Sequence, residues 1–493
     1  MKKNKPLYEG SEWDIPLVER IWEKIDDIAT NKFGLNYYKP QIEIISSEQM
    51  LDAYSSVAMP IMYNHWSFGK TFLQNEHQYN KGIQGLAYEV VINTDPCIAY
   101  LMENNTATLQ ALVLAHASCG HSHFFKNNYL FKNWTDAQTI LDYLTFAKNY
   151  VKSCEEKYGE KEVERLLDAC HSLQSHGVDK YRKPPTLKAE LNRQRDNNWE
   201  HYFESTFNDV WRTVPKKEKE EQHKGKDRIG EENILYFLEK NSPVLKTWQR
   251  EIVRIVRKIS QYFYPQRQTQ LLNEGFACFA HHMIMTEMHD QGYLTDGAYI
   301  EFLQNHTNVV AQRSWESQYY SGINVYALGY AMLMDIKRMC IEPDDEDRKW
   351  FPDICGSDWL DTIKYIVENY RDESFVLQFL SPKVCRHFKL FSAHIDEKET
   401  FIYVSGTHED ESFLHIRKTL AEQYDLSRSI PQIEIVKVDW ETDRWLYLEH
   451  ITKNNQRLDY ENMKKTVQYI NKLWGFPVKM EYKDLDGNDL DNV

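Results

Sequence analysis

The chain has 493 residues, of which 42% are hydrophobic, and a formal net charge of −15. This length exceeds that of one simple domain, so the prediction is two domains, one large and one small. The acidic balance, which no long basic block offsets, excludes nucleic acid as the main partner, because phosphate binding requires clustered lysine and arginine.

The cysteines and the N-terminus indicate a reducing compartment. Eight cysteines are scattered through the chain without a CxxC pair, which argues against a zinc ribbon and fits a reducing environment. The first ten residues are partly basic but lack the apolar segment of a signal peptide. No run of about 18 apolar residues occurs, so no membrane insertion is expected. These features predict a cytoplasmic protein.

The N-terminal third predicts a small sheet that leads into a helix with histidines. Apolar spacings of three and four predict a helix over residues 15–33. Alternating and branched residues predict three strands, at 41–45, 88–93 and 97–102. Thr106 is expected to cap the following helix, which carries His116. Two strands that feed such a helix are the order of zincin metallopeptidases, which we use as an analogy for the fold.

Residues 62–71 are predicted to form an aromatic-rich loop. The triplet Gly69-Lys70-Thr71 is similar to the end of a phosphate-binding loop, but Asn64 stands at the position of its first glycine. No strand runs directly into the segment either, so a nucleotide site is rejected.

The remaining chain predicts further helices and then a change of character. Helices are expected over 135–175, from Ser242 to Pro265, and around residues 298–311 and 325–340. Residues 213–233 are almost wholly polar and predict a charged loop or linker. After residue 394 the strands and helices follow the order β-α-β-β-α-β, which is typical of a ferredoxin-like domain.

The predicted fold class is therefore α+β. A large, mainly helical, zincin-like domain with a small sheet spans residues 1–394, and the ferredoxin-like C-terminal domain spans 395–485. Residues 486–493 are acidic and are predicted to be a tail.

Two histidines, His116 and His121, lie near the end of the apolar helical segment that begins at Leu109. Imidazoles are common zinc ligands, and catalytic zinc usually has three protein ligands. Five residues correspond to about 140° of rotation on a regular α-helix, so the two rings would not share a face. Two arrangements repair this: a π-helical widening, or a helix that ends at Gly120 with His121 in the following turn.

A second segment, far downstream, completes the hypothesis of a metal centre. Glu274 and His281 are seven residues apart, which is two helical turns, and so they share a face, whereas His282 points elsewhere. The alternative is that these histidines are ordinary residues of a helical core.

The segment Asn273-Glu274-Gly275-Phe276-Ala277 resembles gluzincin aminopeptidases, in which this glutamate is the third zinc ligand. The resemblance implies that His116, His121 and Glu274 bind the metal, with His281 a fourth ligand or a partner of a ligand. The sequence departs from the family pattern in two ways. An extra residue separates the histidines, and Ala117 stands where the general-base glutamate belongs. The ligand set suits zinc, and also iron or manganese.

Almost the whole chain, from about residue 12 to 485, resembles the SpoVR family. The resemblance rests on long strings that include His65-Trp-Ser-Phe-Gly-Lys70, Gly85-Leu-Ala-Tyr-Glu89-Val-Val-Ile-Asn93, Phe124-Phe-Lys-Asn-Asn128 and His306-Thr-Asn-Val-Val310. The family resemblance implies a cytoplasmic protein that is linked, in spore formers, to synthesis of the spore cortex, a modified peptidoglycan.

The remaining site residues are assigned by the same two resemblances. Glu89, on the strand before the histidine helix, is the first candidate for the missing base, and His65 is the second. Substrate binding is assigned to four further polar residues, Lys126, Asn127, Asn128 and His306. The alternative for the first three is a helix cap, and the alternative for His306 is packing.

Two functions follow as hypotheses. The first is a zinc-dependent amide hydrolase in which a metal-activated water attacks a peptide or a peptidoglycan-derived substrate. The second is a regulatory or scaffold protein that retains a structural or vestigial metal site and binds a protein partner. The loss of the usual glutamate at position 117 leaves both open.

Overall fold

The fold comes from a computed structural model that describes residues 4–55, 61–80, 89–178, 231–395, 402–407, 409–426, 430–440, 442–452, 458–483 and 489–492. The chain divides into two compact units. Unit 1 comprises residues 1–60, 66–138 and 265–426, and unit 2 comprises residues 61–65, 139–264 and 427–493. No helix within the described ranges has the length and apolar character needed to cross a membrane.

The elements up to residue 178 are α1 (Ile15–Asp27, extended by a π-helical turn at Ile28–Lys32), β1 (Pro40–Ile45), α2 (Ser47–Ser55), α3 (Trp66–Asn80), β2 (Glu89–Ile92), β3 (Cys97–Met102), α4 (Ala107–Val113, followed by a π-helix over Leu114–His121), α5 (Ser122–Asn127), α6 (Tyr129–Trp134), α7 (Ile140–Tyr158) and α8 (Glu160–Ser172), with a short 3-10 helix at Gln174–His176.

The elements after residue 230 are α9 (Ile234–Asn241), α10 (Thr247–Gln268), α11 (Gln270–Asp290), α12 (Asp296–Val309), α13 (Val325–Ile341), α14 (Asp345–Trp350), α15 (Trp359–Asn369), α16 (Asp372–Phe379), α17 (Pro382–His387), β4 (Ser392–Ile395), β5 (Ile402–Ser405), α18 (Asp410–Gln423), β6 (Ile433–Val438), β7 (Leu446–Ile451), α19 (Tyr460–Trp474), β8 (Val478–Lys483) and β9 (Asp489–Asn492).

The described strands form three sheets. In unit 1, β3 lies between β1, which it pairs in parallel, and β2, which it pairs antiparallel. All six residues of β3 are buried, as expected for a central apolar strand. Strands β4 and β5 form an antiparallel pair, and β6-β7-β8-β9 form the sheet of unit 2.

The mainly helical α+β class is confirmed, and the three N-terminal strands lie where the residue pattern places them. The predicted loop at 62–71 is wrong from Trp66 onward, where α3 begins. Most of the predicted linker, residues 213–230, lies outside the described residues. Residues 489–492 of the predicted acidic tail form β9, which pairs with β8.

The ferredoxin-like arrangement of the C-terminal strands stays a prediction. Strand β5, the first strand of the predicted β-α-β-β-α-β unit, pairs with β4 of unit 1. The remaining strands, β6 to β8, pair with one another and with β9. Local periodicity predicted the strands correctly, but strand pairing depends on long-range contacts that periodicity does not encode.

Unit 2 contains a buried ionic cluster. Glu239 is fully buried and accepts hydrogen bonds from Arg254 Nε at 2.8 Å and Arg257 Nε at 3.0 Å. Burial alone would raise the pKa of Glu239, but the two guanidinium groups outweigh it and lower the pKa. These pairs compensate the cost of burying the charges.

Helix α11 lies at the centre of unit 1 and approaches its neighbours through glycines. A Cβ on Gly120, in the π-helix, would lie 2.7 Å from Ala277 Cα on α11. A Cβ on Gly275 would lie 2.5 Å from the backbone of Gly329 on α13. Since only glycine fits these contacts, the backbones of both neighbours lie directly against α11.

The N-terminus of α11 is capped by a residue from a distant helix. The Asp372 carboxylate, at the start of α16, accepts hydrogen bonds from the backbone N–H groups of Leu271 and Leu272, both at 2.9 Å. These donors have no partner within the helix, so the carboxylate fixes the end of α11 that carries Glu274. Burial raises the pKa of Asp372 to about 7.

A carboxylate at the start of α14 makes the stability of unit 1 sensitive to acid. Asp347 accepts hydrogen bonds from Arg338 Nη1 at 2.7 Å, Arg338 Nη2 at 2.8 Å and Lys383 Nζ at 3.0 Å. Burial acts to raise the pKa of Asp347, but hydrogen bonds from Arg338 and the Asp344 backbone lower it well below its usual range. The folded chain therefore binds fewer protons here than the unfolded chain, and this stabilisation is lost as pH falls below about 4.

We expect Asp347→Asn to lower the free energy of unfolding by about 2 kcal/mol at pH 7. The loss relative to wild type should shrink towards pH 3, where Asp347 of the unfolded wild-type chain takes up a proton while the folded chain still holds it ionised. Urea denaturation at both pH values measures this. Asp361→Asn, at an exposed position on α15, is the control, and an equal loss at both pH values would contradict the assignment.

Candidate metal centre

The histidine helix widens between its two histidines. Regular α4 ends at Val113, and the chain continues as a π-helix over Leu114–His121 before α5. The wider turn places His116 and His121 on one side, with their ring centroids 4.7 Å apart. The π-helical alternative is thus the one that the structure adopts, and Gly120 lies within the helix and does not end it.

Three side chains from two distant segments converge. His121 Nε2 lies 3.4 Å from Glu274 Oε2, and His116 Nε2 lies 3.8 Å from the same oxygen. Ligands of a tetrahedral ion with bonds near 2.0–2.1 Å lie about 3.3 Å apart. One ligand atom from each of the three residues falls within 4.8 Å of the others. The donor set and its spacing therefore fit a divalent metal.

A second carboxylate faces the same point. Glu89 Oε1, at the start of β2, lies 3.6 Å from His116 Nε2, and the Glu89 and Glu274 side chains are each 18% exposed. Burial raises the pKa of Glu89, although His116 and His121 act against it. Burial would also raise the pKa of Glu274, but the same two histidines outweigh it and lower the pKa to about 2. The two carboxylates therefore differ in basicity, with Glu89 the one that takes up a proton more readily.

Asn273 orients the second histidine. Its Oδ1 lies 2.9 Å from His121 Nδ1. The amide oxygen accepts the Nδ1 proton, so Nε2, which faces Glu274, is the nitrogen available to bind a metal. Such partners fix the tautomer and the orientation of a metal-binding imidazole.

His281 contacts the other side of His116. Its Nδ1 lies 2.9 Å from His116 Nδ1, whereas the carboxylates face His116 Nε2. His281 therefore fits a partner of a ligand better than a fourth ligand of the same ion. Its Nε2 lies 2.7 Å from His306 Nδ1. Burial lowers the pKa of His281 and lowers that of His306 to about 3.

A cysteine lies beside this pair. A ring nitrogen of His116, a ring nitrogen of His281 and Cys278 Sγ all lie within 4.8 Å of one another. All three residues are buried. Burial raises the pKa of the Cys278 thiol well above its usual value, so the thiol is neutral in this environment.

The polar residues after the histidines have structural contacts. Lys126 Nζ donates to the Tyr37 carbonyl at 3.0 Å, and Asn127 Nδ2 donates to the Asn36 carbonyl at 2.6 Å. Asn128 Oδ1 accepts from the N–H of Leu130 and caps α6. These contacts favour the alternative that the three residues shape the fold, and we assign them no substrate. Asn127 Nδ2 also donates to the His123 carbonyl at 2.7 Å, so the cap at the end of α5 that the sequence suggested is present together with the cap at the start of α6.

His65, the second candidate base, belongs to unit 2. There its Nε2 lies 3.2 Å from Asp168 Oδ1, and its ring centroid lies 4.4 Å from that of His171. Tyr63 Oη lies 2.6 Å from His171 Nε2. His65 therefore belongs to a partly buried polar cluster with Asp168 and His171, and these contacts favour Glu89 as the candidate base.

Sequence reasoning missed Asn273 and Cys278 as neighbours of the centre. Asn273 immediately precedes Glu274, and Cys278 is one helical turn beyond it, so both lie near the ligand on α11. The i, i+4 spacing from Glu274 was a usable signal for Cys278. No comparable signal links His306 to His281, since these two residues lie on different helices.

Comparison with known proteins finds similarity over nearly the full length of the chain. The sequence profile of the family described as SpoVR like protein matches residues 12–429, and that of the SpoVR-like C-terminal domain matches residues 431–485. The chain is 50% identical over 490 residues to a protein of Escherichia coli (strain K12) named Uncharacterized protein YcgB, with 99% of this chain and 96% of that protein covered. No solved structure shows a significant match. The chain therefore belongs to the SpoVR family.

Proposed function

We propose that this chain is a metal-dependent hydrolase that cleaves an amide bond. The observation that carries the proposal is the convergence of His116 Nε2, His121 Nε2 and Glu274 Oε2 within 4.8 Å, with the Glu89 carboxylate beside them. A zinc ion held there would supply Lewis acidity towards a carbonyl group and a water molecule. Iron or manganese also suits two imidazoles and a carboxylate.

Glu89 is the residue that would move the proton. General bases work best when their pKa lies near the working pH, and burial shifts the pKa of Glu89 in that direction. Its position on β2, next to the ligands, lets it take the role of the general-base glutamate, in whose place this chain has Ala117. Glu89 would accept a proton from the attacking water and return it to the leaving amine.

We infer the substrate class from what the resemblance to the SpoVR family implies. The link to spore-cortex synthesis in spore formers favours a peptide or a peptidoglycan-derived compound. In a cytoplasmic protein, soluble precursors or fragments are the accessible form of such substrates. The alanine at position 117, in place of the usual glutamate, favours a second candidate, a regulatory protein in which the same ligands hold a non-catalytic ion.

The test combines zinc content with a hydrolysis screen of the zinc-loaded protein on peptides of peptidoglycan stem composition. We expect Glu89→Gln to lower the rate by about 100-fold or more, as loss of a general base does, and to leave the zinc content unchanged. Glu103→Gln, at an exposed position directly after β3, is the matched control.

Three results would count against the hydrolase. Absence of zinc from the wild type would remove the metal centre itself. Bound zinc with no cleavage of any peptide in the screen would favour the regulatory protein. Loss of zinc in Glu89→Gln would show that Glu89 is a ligand and not the base.

A further inference from the structure

Three imidazoles form a continuous chain that starts on a candidate metal ligand. His116 Nδ1 lies 2.9 Å from His281 Nδ1, and His281 Nε2 lies 2.7 Å from His306 Nδ1. Both distances are those of hydrogen bonds. The three residues come from the π-helix, α11 and α12, so the row of hydrogen-bonded imidazoles links three elements of unit 1.

The proton positions on the three imidazoles follow once His116 Nε2 is taken to bind a metal. A neutral imidazole has one donor and one acceptor nitrogen. If His116 Nε2 offers its lone pair to a metal, its proton is on Nδ1 and is donated to His281 Nδ1. His281 must then carry its own proton on Nε2 and donate it to His306 Nδ1. Binding of the metal thus selects one tautomer at each ring.

The surroundings hold the outer rings in place. His281 is 1% exposed and His306 is 5% exposed, so water has little access to either ring. His306 stacks on His282 with ring centroids 5.0 Å apart and meets the edge of Tyr330 at 4.7 Å. Phe302 contacts both His281 and His306. Aromatic packing therefore fixes the orientation that the hydrogen bonds require.

We propose that His281 and His306 are positioning residues that hold His116 in its metal-binding tautomer. The inference rests on the metal centre of the proposed function and deepens it, because it assigns the histidines beyond the ligands. His306 acts through His281, and neither of them contacts the substrate. This places a hydrogen-bonded partner behind each ligand histidine: Asn273 behind His121 and the His281–His306 pair behind His116.

The experiment compares two replacements of His306 in the full chain by competition for zinc with a chromophoric chelator. Asparagine places an oxygen acceptor near the position of Nδ1, whereas phenylalanine keeps an aromatic ring and removes the acceptor. We expect His306→Phe to weaken zinc binding by about 10–100-fold, the usual cost of losing such a partner, and His306→Asn to restore most of it. His289→Phe, which changes a histidine that stacks on Tyr299 near the C-terminal end of α11, is the control and should remain close to wild type.

Thermal unfolding of the metal-free variants reports packing separately, and His306→Leu replaces His306→Phe if the latter does not fold. Wild-type affinity in His306→Phe, or equal weakening in His306→Asn, would overturn the proposal. Two zinc ions per chain, one of them lost in Cys278→Ser, would also overturn it, because an ion and not a proton would then join the two Nδ1 atoms. Absence of zinc from the wild type removes both this inference and the proposed function. If the His306 variants show the expected zinc affinities but the protein cleaves no peptide, only the proposed hydrolase function is removed.

Discussion

Glu274→Gln is expected to abolish stoichiometric zinc binding. Glutamine keeps the shape of the side chain but removes the charge that lies 3.4 Å from His121 Nε2 and 3.8 Å from His116 Nε2. Because changes to partners of ligands already cost about 10–100-fold in metal affinity, loss of the charged ligand should cost more than about 100-fold. Zinc per chain, measured by elemental analysis after dialysis against a weak chelator, checks this.

Glu287→Gln is the matched control, since it makes the same change on the same helix. Glu287, 15% exposed, pairs with Lys32, 50% exposed, and accepts a hydrogen bond from Gln291 Nε2, so its replacement should cost about 1 kcal/mol of stability and leave zinc binding unchanged. Zinc at the wild-type level in Glu274→Gln would show that the convergence of His116, His121 and Glu274 is a buried ion-pair cluster and not a metal centre.

Gly329→Ala should destabilise unit 1 more than any surface change. The new Cβ would lie 2.3 Å from the Leu271 carbonyl oxygen and 2.8 Å from Gly275 Cα, and both are backbone atoms that cannot rotate away. Helices α11 and α13 would have to separate, which we expect to cost about 3 kcal/mol or more. Because Glu274 adjoins this contact, zinc affinity should fall as well. Urea denaturation of the metal-free protein measures the first effect, and chelator competition measures the second.

Gly297→Ala provides the control for the second change. A Cβ there would meet only Thr295 Oγ1, at 3.9 Å, in the first turn of α12. Alanine is the better helix former, so this variant should be neutral or more stable by up to about 1 kcal/mol. Equal stability of Gly329→Ala and wild type would show that the two helices tolerate a wider separation.

The sequence contains enough to predict that His116, His121 and Glu274 converge, but not the contacts that support these residues. The spacing of Glu274 and His281 is local and periodic, and the irregular spacing of His116 and His121 leaves only two arrangements, one of which the structure adopts. The contact between Gly275 and Gly329 and the pairing of His281 with His306 join separate helices. Periodicity within a segment carries no information about such contacts.

The C-terminal strands show the same limit of prediction from residue patterns. Alternation located β5, β6, β7 and β8, yet the partner of β5 is β4, which no residue pattern had indicated. The order of strands and helices along the chain is compatible with several sheet arrangements. Which strands pair depends on the apolar surface that the folded arrangement buries. The same limit applies to the proposed function. Donor types point to a metal, whereas no motif in the sequence specifies a substrate.

The two halves of the metal centre are synthesised at different times. His121 and Asn273 lie 152 residues apart in the chain, and the segment between them contains residues 139–264 of unit 2. At about 5–20 residues per second, the ribosome completes the histidine half about 8–30 seconds before the glutamate half. During that interval a nascent chain offers imidazoles without their carboxylate. Zinc retention by newly made protein would therefore show that the Glu274 segment has packed against His116 and His121, which were synthesised earlier.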